Sequence, residues 1–328
     1  MKAAIVGISG PALTEAEAAR FLELPPAGAI LFARNVADPD QLRHLTRALR
    51  VTLPQDAVIA VDQEGGRVAR LRPPHWRAHP SAAAIGALGR EPGRRAAWLT
   101  GALIGLDCAH AGIDLVCAPV LDLRLPQASD VIGDRSFGAD PDHVAALGRA
   151  LAEGLLASGV VPVAKHAPGH GRALVDSHHA LPSVPANVEL EPDMAPFRSC
   201  AGLPWMMTAH LLYHGLDSER PGTLSPIVIR EAIRARIGFQ GVLVSDDLAM
   251  RALRGAPGSL AAEAIAAGCD IALHCTGEPD ATEQVLRAVP EISPELLARI
   301  RAGRDRADRS RIPLDAPTLA AERDRLLA

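Results

Sequence analysis

Lysine is nearly missing from this 328-residue chain: of 34 cationic side chains only Lys2 and Lys165 are lysines, and the rest are arginine. Where arginine is the default cation, an internal lysine marks a place that needs a compact ammonium rather than a planar guanidinium fork. Aromatic residues are scarce at 3%, with a single tyrosine, Tyr213. That argues against ligand binding on stacked aromatic platforms and for a site built from charged groups. No run of eighteen apolar residues occurs, so no hydrophobic membrane-spanning helix is expected. The stretch Met1–Gly7 lacks the apolar core and cleavage site of a signal peptide. A net charge of −4 without a basic run excludes the electrostatic footprint of a nucleic-acid or acidic-membrane binder. The five cysteines, Cys108, Cys117, Cys200, Cys269 and Cys275, are odd in number and lack CxxC spacing. Buried free thiols in a reducing cytoplasm are the expectation, and none reads as a nucleophile.

What the chain does have is a repeating pattern. Short apolar runs recur at 3–8, 29–33, 58–62, 113–119, 161–165, 205–210, 242–246 and 270–275, with helical stretches between them. Near-continuous apolar runs are the mark of parallel strands covered by helices on both sides. Thr14 with Glu17, and Asp38-Pro39 with Gln41, have the form of capping boxes, and Ser225-Pro226 and Ser293-Pro294 put proline at a first helical position. Eight strands alternating with helices predict an α/β fold, a single (β/α)8 barrel occupying residues 1–328 as one domain. A doubly wound sheet is the alternative, but no GxGxxG turn follows the first strand. The long connections, 64–111 and 121–160, are expected over the barrel mouth. The arginines near the end, Arg299, Arg301, Arg304 and Arg306, alternate with aspartates and suggest a solvated helix.

Active sites of such barrels sit at the C-terminal strand ends. Those ends carry Asp62 with Gln63 and Glu64, Asp122, Lys165 with His166, His210, and Asp246 with Asp247. The densest cluster runs from Lys165-His166-Ala167-Pro168-Gly169-His170-Gly171 to Asp176-Ser177-His178, and Pro168 with its neighbouring glycines makes it a loop. Asp246 would point into the mouth, where a carboxylate facing an electrophilic carbon suits a nucleophile; Asp247 is the better helix cap. Asp176 can orient His178 as a general acid/base near neutral pH. Asp62 and Arg70 flank Gly65-Gly66, where the backbone can pass close to a ligand, and could bind sugar hydroxyls and a polar substituent. Arg135 is a second binding candidate. His166 and His170 are four apart, but Pro168 and Gly169 prevent a helical pair, so no metal and no other cofactor is expected. A Schiff-base aldolase on Lys165 and a non-catalytic glycan-binding barrel remain as alternatives.

Taken together, Ile30–Asn35, Val61–Val68, Gly133–Phe137, Lys165–Gly171, Asp176–His178, Met207–His210 and Ser245–Leu248 resemble the corresponding motifs of bacterial family 3 glycoside hydrolases. The resemblance is to the single-domain β-N-acetylglucosaminidases among them and covers about positions 30 to 250. It implies a retaining mechanism with Asp246 as nucleophile and His178, paired with Asp176, as acid/base. It also implies that Asp62, Arg70, Arg135, Lys165, His166 and His210 bind the N-acetylglucosamine unit. The implied substrate is N-acetylglucosamine β-1,4-linked to anhydro-N-acetylmuramic acid, as in muropeptides of peptidoglycan recycling, hydrolysed in the cytoplasm by a monomer. A family 3 β-glucosidase is a weaker reading, since those usually take a glutamate acid/base from a second domain. Ala167 departs from the phenylalanine usual in the family.

Overall fold

The computed structural model describes residues 1–126, 129–173 and 181–328. Eight parallel strands close into a barrel: β1 (Lys2–Gly7), β2 (Pro26–Leu31), β3 (Val58–Val61), β4 (Leu115–Val116), β5 (Val161–Ala167), β7 (Trp205–Thr208), β9 (Val242–Asp247) and β10 (Ile271–His274). Each matches one of the eight apolar runs. β2 begins earlier than its run because Pro26, which has no N–H to give, occupies the first strand position. A further parallel pair, β6 (Ser183–Val184) and β8 (Leu212–Tyr213), lies apart from the barrel. Two residues per strand are too few to leave a periodic signal.

Helices α1 (Glu15–Glu23), α2 (Pro39–Thr52), α3 (Ala82–Gly86), α4 (Arg90–His110), α5 (Pro141–Ala157), α6 (Glu191–Ser199), α7 (Pro257–Ala267) and α8 (Pro279–Ala288) follow the strands, with a π-helical stretch at Val228–Ile237 before β9. Thr14 and Glu17 close a reciprocal capping box on α1. On α2 only half of the box forms. Asp38 accepts from the N–H groups of Asp40 and Gln41, whereas Gln41 Oε1 turns to the N–H of Ala37. Asp247, read as a helix cap, instead accepts from the N–H groups of Ala249 and Cys275, holding the turn after β9 against the end of β10.

Two apolar layers make the core. Ile59, Val61, Ala164, Met206 and Leu243 face outward against the helices. Ile5, Ala60, Val163, Trp205 and Val244 fill the barrel, and Leu296, Ile300 and Ala307 of α9 (Pro294–Ser310) join them from below. Gly303 lies where a Cβ would come within 3.0 Å of Pro204 and 3.5 Å of Trp205, so α9 packs flush against the barrel base. The arginine-rich helix is therefore a plate bolted to the N-terminal face by one buried stripe, with its other side in water. Arg299 donates twice to Asp270, Arg301 grips Asp56 with two bonds of 3.0 and 2.8 Å, and Arg304 reaches the Ala57 carbonyl at 3.1 Å. The last helix, α10 (Ala316–Leu327), lies on α4, where buried Arg323 Nη1 is 3.2 Å from His79 Nδ1.

Asp270 is the main anchor, since it also accepts from Arg234 and from the Leu243 N–H, each at 2.8 Å. Asp270→Ala leaves two guanidinium groups and a strand amide without their acceptor, and should cost about 2–4 kcal/mol in urea unfolding. Arg299→Ala removes one partly exposed partner and should cost about 1 kcal/mol or less. Both variants should keep full activity per folded molecule, because the mouth lies at the opposite end.

Candidate active site

Strand parity decides which side chains enter the barrel. Val58 and Ala60, Val161 and Val163, and Val242 and Val244 all point inward. The next positions of the same parity are Asp62, Lys165 and Asp246. Three charges are thus delivered to the C-terminal mouth with apolar layers as a floor. They line a cavity of about 280 Å³ together with Glu64, Arg70, Arg135, His166 and His170, beside an apolar wall that includes Phe32 and Met207. Ligand pockets run from roughly 300 to 1,000 Å³, so this one suits a ligand on the scale of a monosaccharide.

Cations and anions alternate around its wall. Lys165 Nζ lies 2.9 Å from Asp62 Oδ1 and 2.7 Å from Glu64 Oε1. Asp62 Oδ2 accepts from Arg70 at 3.0 Å, and Glu64 takes two parallel bonds from Arg135, each 2.8 Å. Lys165 is 2% exposed, in a slot between two carboxylates that a guanidinium could not enter without displacing one of them. Burial opposes charge on Asp62, but Lys165 and Arg70 overcome it and hold that carboxyl well below its ordinary range. Glu64, equally desolvated, is held down to about 2 by Arg135 and Lys165. The same partners raise Lys165 above its usual value against the cost of burial. The network is fully ionised at neutral pH.

Behind it stands Asp122, fully buried at the end of β4. It accepts from His166 Nδ1 at 2.7 Å and from the His170 N–H at 2.7 Å. His166 Nε2 faces the pocket, 3.5 Å from Arg135 Nη2. The Gly65-Gly66 pair has φ values of +98° and +55°, and a Cβ on Gly65 would lie 2.3 Å from the Pro80 carbonyl. The close approach that these glycines permit within the protein is to the chain around Pro80 and Ser81. It turns the connection back so that Arg70 meets Asp62.

Asp246 differs from Asp62 and Glu64. Its Oδ1 accepts the Asp247 N–H at 2.8 Å, and among the described residues it makes no ion pair. Burial disfavours its charge, yet His166, His210, that N–H and Lys165 together bring its pKa below the ordinary value. It is an ionised carboxylate with a free edge toward the cavity. The thiols are no rival, for burial pushes Cys200 up to about 11 and Cys269 up to about 12, and all five cysteines are buried and free.

Six of the residues singled out in the sequence, Asp62, Arg70, Arg135, Lys165, His166 and Asp246, line this one pocket. His210 does not. It is 0% exposed, with Nδ1 2.8 Å from Thr223 Oγ1 and Nε2 2.9 Å from the Asp247 carbonyl, which places it behind the strand end that carries Asp246. Asp176 and His178 lie outside the described residues. Glu64 and Asp122 had no assigned role from the sequence, although both stood at strand ends; their partners lie too far along the chain for a local pattern to reveal.

Residues 8–301 match the glycosyl hydrolase family 3 N terminal domain. The chain belongs to glycosyl hydrolase family 3. Among relatives of this family 3 chain, the beta-hexosaminidase of Chromobacterium violaceum is 38% identical over 332 aligned positions, covering 97% of this chain and 91% of that one. The beta-hexosaminidase of Methylococcus capsulatus is 40% identical over 311 positions, 92% of this chain and 91% of its own. NagZ from Neisseria gonorrhoeae, solved in complex with N-trifluoroacetyl-D-glucosamine, superposes with a TM-score of 0.88 at 32% identity, covering 100% of this chain and 98% of that one. The protein is a glycoside hydrolase of the β-hexosaminidase kind. Among the described residues no helix is long and apolar enough to cross a membrane.

The depressed carboxyls of this family 3 site fix its acid limb. A group whose folded pKa is lowered stabilises above its unfolded value, near 4, and loses that contribution as pH falls toward the folded one. Lys165, raised in the fold, contributes fully below its unfolded value of about 10.4. The cluster should therefore be most stabilising between about pH 5 and 10. Lys165→Met removes the cation shared by Asp62 and Glu64. Urea unfolding across pH should then show a variant that is less stable than wild type near neutral pH and that loses less stability on acidification below about pH 5, because Asp62 and Glu64 are no longer held as far below their unfolded values.

Proposed function

We propose that this family 3 hydrolase is a retaining exo-β-N-acetylglucosaminidase. It removes non-reducing terminal N-acetylglucosamine from β-1,4-linked anhydro-N-acetylmuramic acid, with or without an attached peptide, in cytoplasmic peptidoglycan recycling. It acts as a monomer and needs no metal or other cofactor. The observation that carries the reading is Asp246, a pocket carboxylate whose pKa is held below its ordinary value and which, among the described residues, makes no ion pair. The complex of the gonococcal NagZ supports a glucosamine derivative as the sugar, and five free cysteines suit a reducing compartment.

In this reading the Asp246 carboxylate attacks the anomeric carbon while the bond to the leaving oxygen breaks, and His178 in its protonated form gives that oxygen its proton. Neutral His178, oriented by Asp176, then takes a proton from water as the water attacks the same carbon and frees Asp246. His178 is five residues beyond Ala173, itself three beyond the pocket residue His170. Asp62, Arg70, Arg135, Lys165 and His166 hold the sugar through charge-assisted bonds to its hydroxyl and acetamido groups. The apolar wall at Phe32 and Met207 receives a face of the ring.

A Schiff-base role for Lys165 is disfavoured by the same geometry. An amine nucleophile needs a lowered pKa, whereas Lys165 is held as an ammonium between two carboxylates.

The deciding comparison is the initial rate on an aryl β-N-acetylglucosaminide, wild type against Asp246→Ala. Turnover by wild type, with kcat/KM in the variant lower by roughly 10³-fold or more, is the expected result. An unchanged rate in Asp246→Ala would remove the covalent mechanism and point to participation by the acetamido group. No turnover by wild type would remove the substrate reading.

A further inference from the structure

Asp122 touches no pocket surface, yet it is bonded to more of the site's framework than any one ligand-facing group requires. Oδ2 accepts from His166 Nδ1 at 2.7 Å; Oδ1 accepts from the His170 N–H at 2.7 Å; the His166 N–H lies 3.3 Å from both oxygens. Its own carbonyl accepts from Ser136 Oγ at 2.6 Å, next to Arg135. A carboxylate that accepts from Nδ1 requires a proton there. On the other side of the ring, Nε2 faces Arg135 Nη2 at 3.5 Å, a group that can only donate. Both contacts specify one state of the imidazole.

We propose that Asp122 is a positioning residue that fixes His166 as the Nδ1–H tautomer, so that Nε2 presents a bare lone pair to the pocket and recognises a ligand hydroxyl as hydrogen-bond donor. This rests on the reading above that His166 meets the sugar. It assigns that contact a direction: the sugar donates and the enzyme accepts. The cationic members of the wall, Lys165, Arg70 and Arg135, can only donate, so an acceptor on His166 lets the site bind both lone pairs and protons of the sugar's hydroxyl groups.

The substitution Asp122→Asn tests this because an amide offers one acceptor where the carboxylate offers two. With its oxygen toward Nδ1, the Asn NH2 would oppose the His170 N–H at a 2.7 Å contact. With its oxygen toward the His170 N–H, the NH2 faces Nδ1 and donates to it. The second arrangement avoids the close donor–donor contact and forces the proton of His166 onto Nε2, where it opposes both Arg135 and the sugar hydroxyl.

The tautomer can be read without substrate by long-range proton–nitrogen correlation on protein labelled with ¹⁵N-histidine. The His166 signals are assigned as those missing in His166→Gln. Wild type should show a protonated Nδ1 and an unprotonated Nε2; Asp122→Asn should show the reverse. Its kcat/KM on the aryl N-acetylglucosaminide should fall by roughly 10- to 100-fold, the effect of one opposed donor pair in a buried site. A wild-type spectrum with Nε2 protonated would overturn the proposal by itself, even if the variant failed to fold. So would an unchanged tautomer in a folded Asp122→Asn that has lost activity, which would make Asp122 a purely structural support. Absence of turnover by wild type would end the sugar reading, while the nitrogen spectrum would still decide the tautomer.

Discussion

One buried ammonium organises the mouth of this barrel. Lys165 sits in a nearly solvent-free slot where an unpaired charge would be prohibitive, so it persists only because Asp62 and Glu64 are both within hydrogen-bond distance. Each carboxylate is in turn too desolvated to stand alone and recruits an arginine, Arg70 for one and Arg135 for the other. The four partners come from the connections after β3 and β4, and Lys165 from β5, so satisfying one charge fixes the placement of three segments far apart in sequence. The arrangement is rigid because of the cost of loosening it: any member that swings away leaves a buried ion without its counterpart. That rigidity is what a site built to bind polar sugar groups needs, since water competes for every hydrogen bond that is not held ready.

Much of this was legible in the chain. All eight barrel strands correspond to apolar runs, because a parallel strand covered on both faces has no polar positions to blur its signal. The inward parity of Val58, Ala60 and Asp62, of Val161, Val163 and Lys165, and of Val242, Val244 and Asp246 follows from the two-residue repeat of a strand. What resisted reading was whatever depends on partners distant in sequence. Arg135 reads as a binding residue on its own, but its bidentate hold on Glu64 spans 71 positions. The arginines of α9 read as solvent-facing, and they do stay partly exposed, but the acceptors that hold them, Asp56 and Asp270, are brought beneath the barrel only by its closure. His210 carries the residue type of a ligand contact, and its place behind β9, with both ring nitrogens engaged by Thr223 and the Asp247 carbonyl, could not be read from its neighbours in sequence.

Alternating positions along the strands divide the labour between stability and chemistry. Outward side chains bind the helices, inward ones fill the barrel, and the polar end of each inward row is exposed only where the apolar filling stops. The site's charged groups lie just beyond the last apolar layer, and the cost of desolvating them is offset by their mutual pairing. Asp122 lies deeper still. It is a carboxylate taken fully out of water and retained because three donors of the following strand and loop converge on it.

The packed interior below the pocket, closed at its far end by α9, also has a kinetic meaning. A cavity with one opening has no rear exit, so whatever enters deepest must leave last. On the exo-acting reading proposed above, a saccharide enters by its terminus, and after cleavage the fragment nearer the mouth departs before the retained ring can follow. The order of product release is set by the plugged barrel, ahead of any contact made by the side chains that line it.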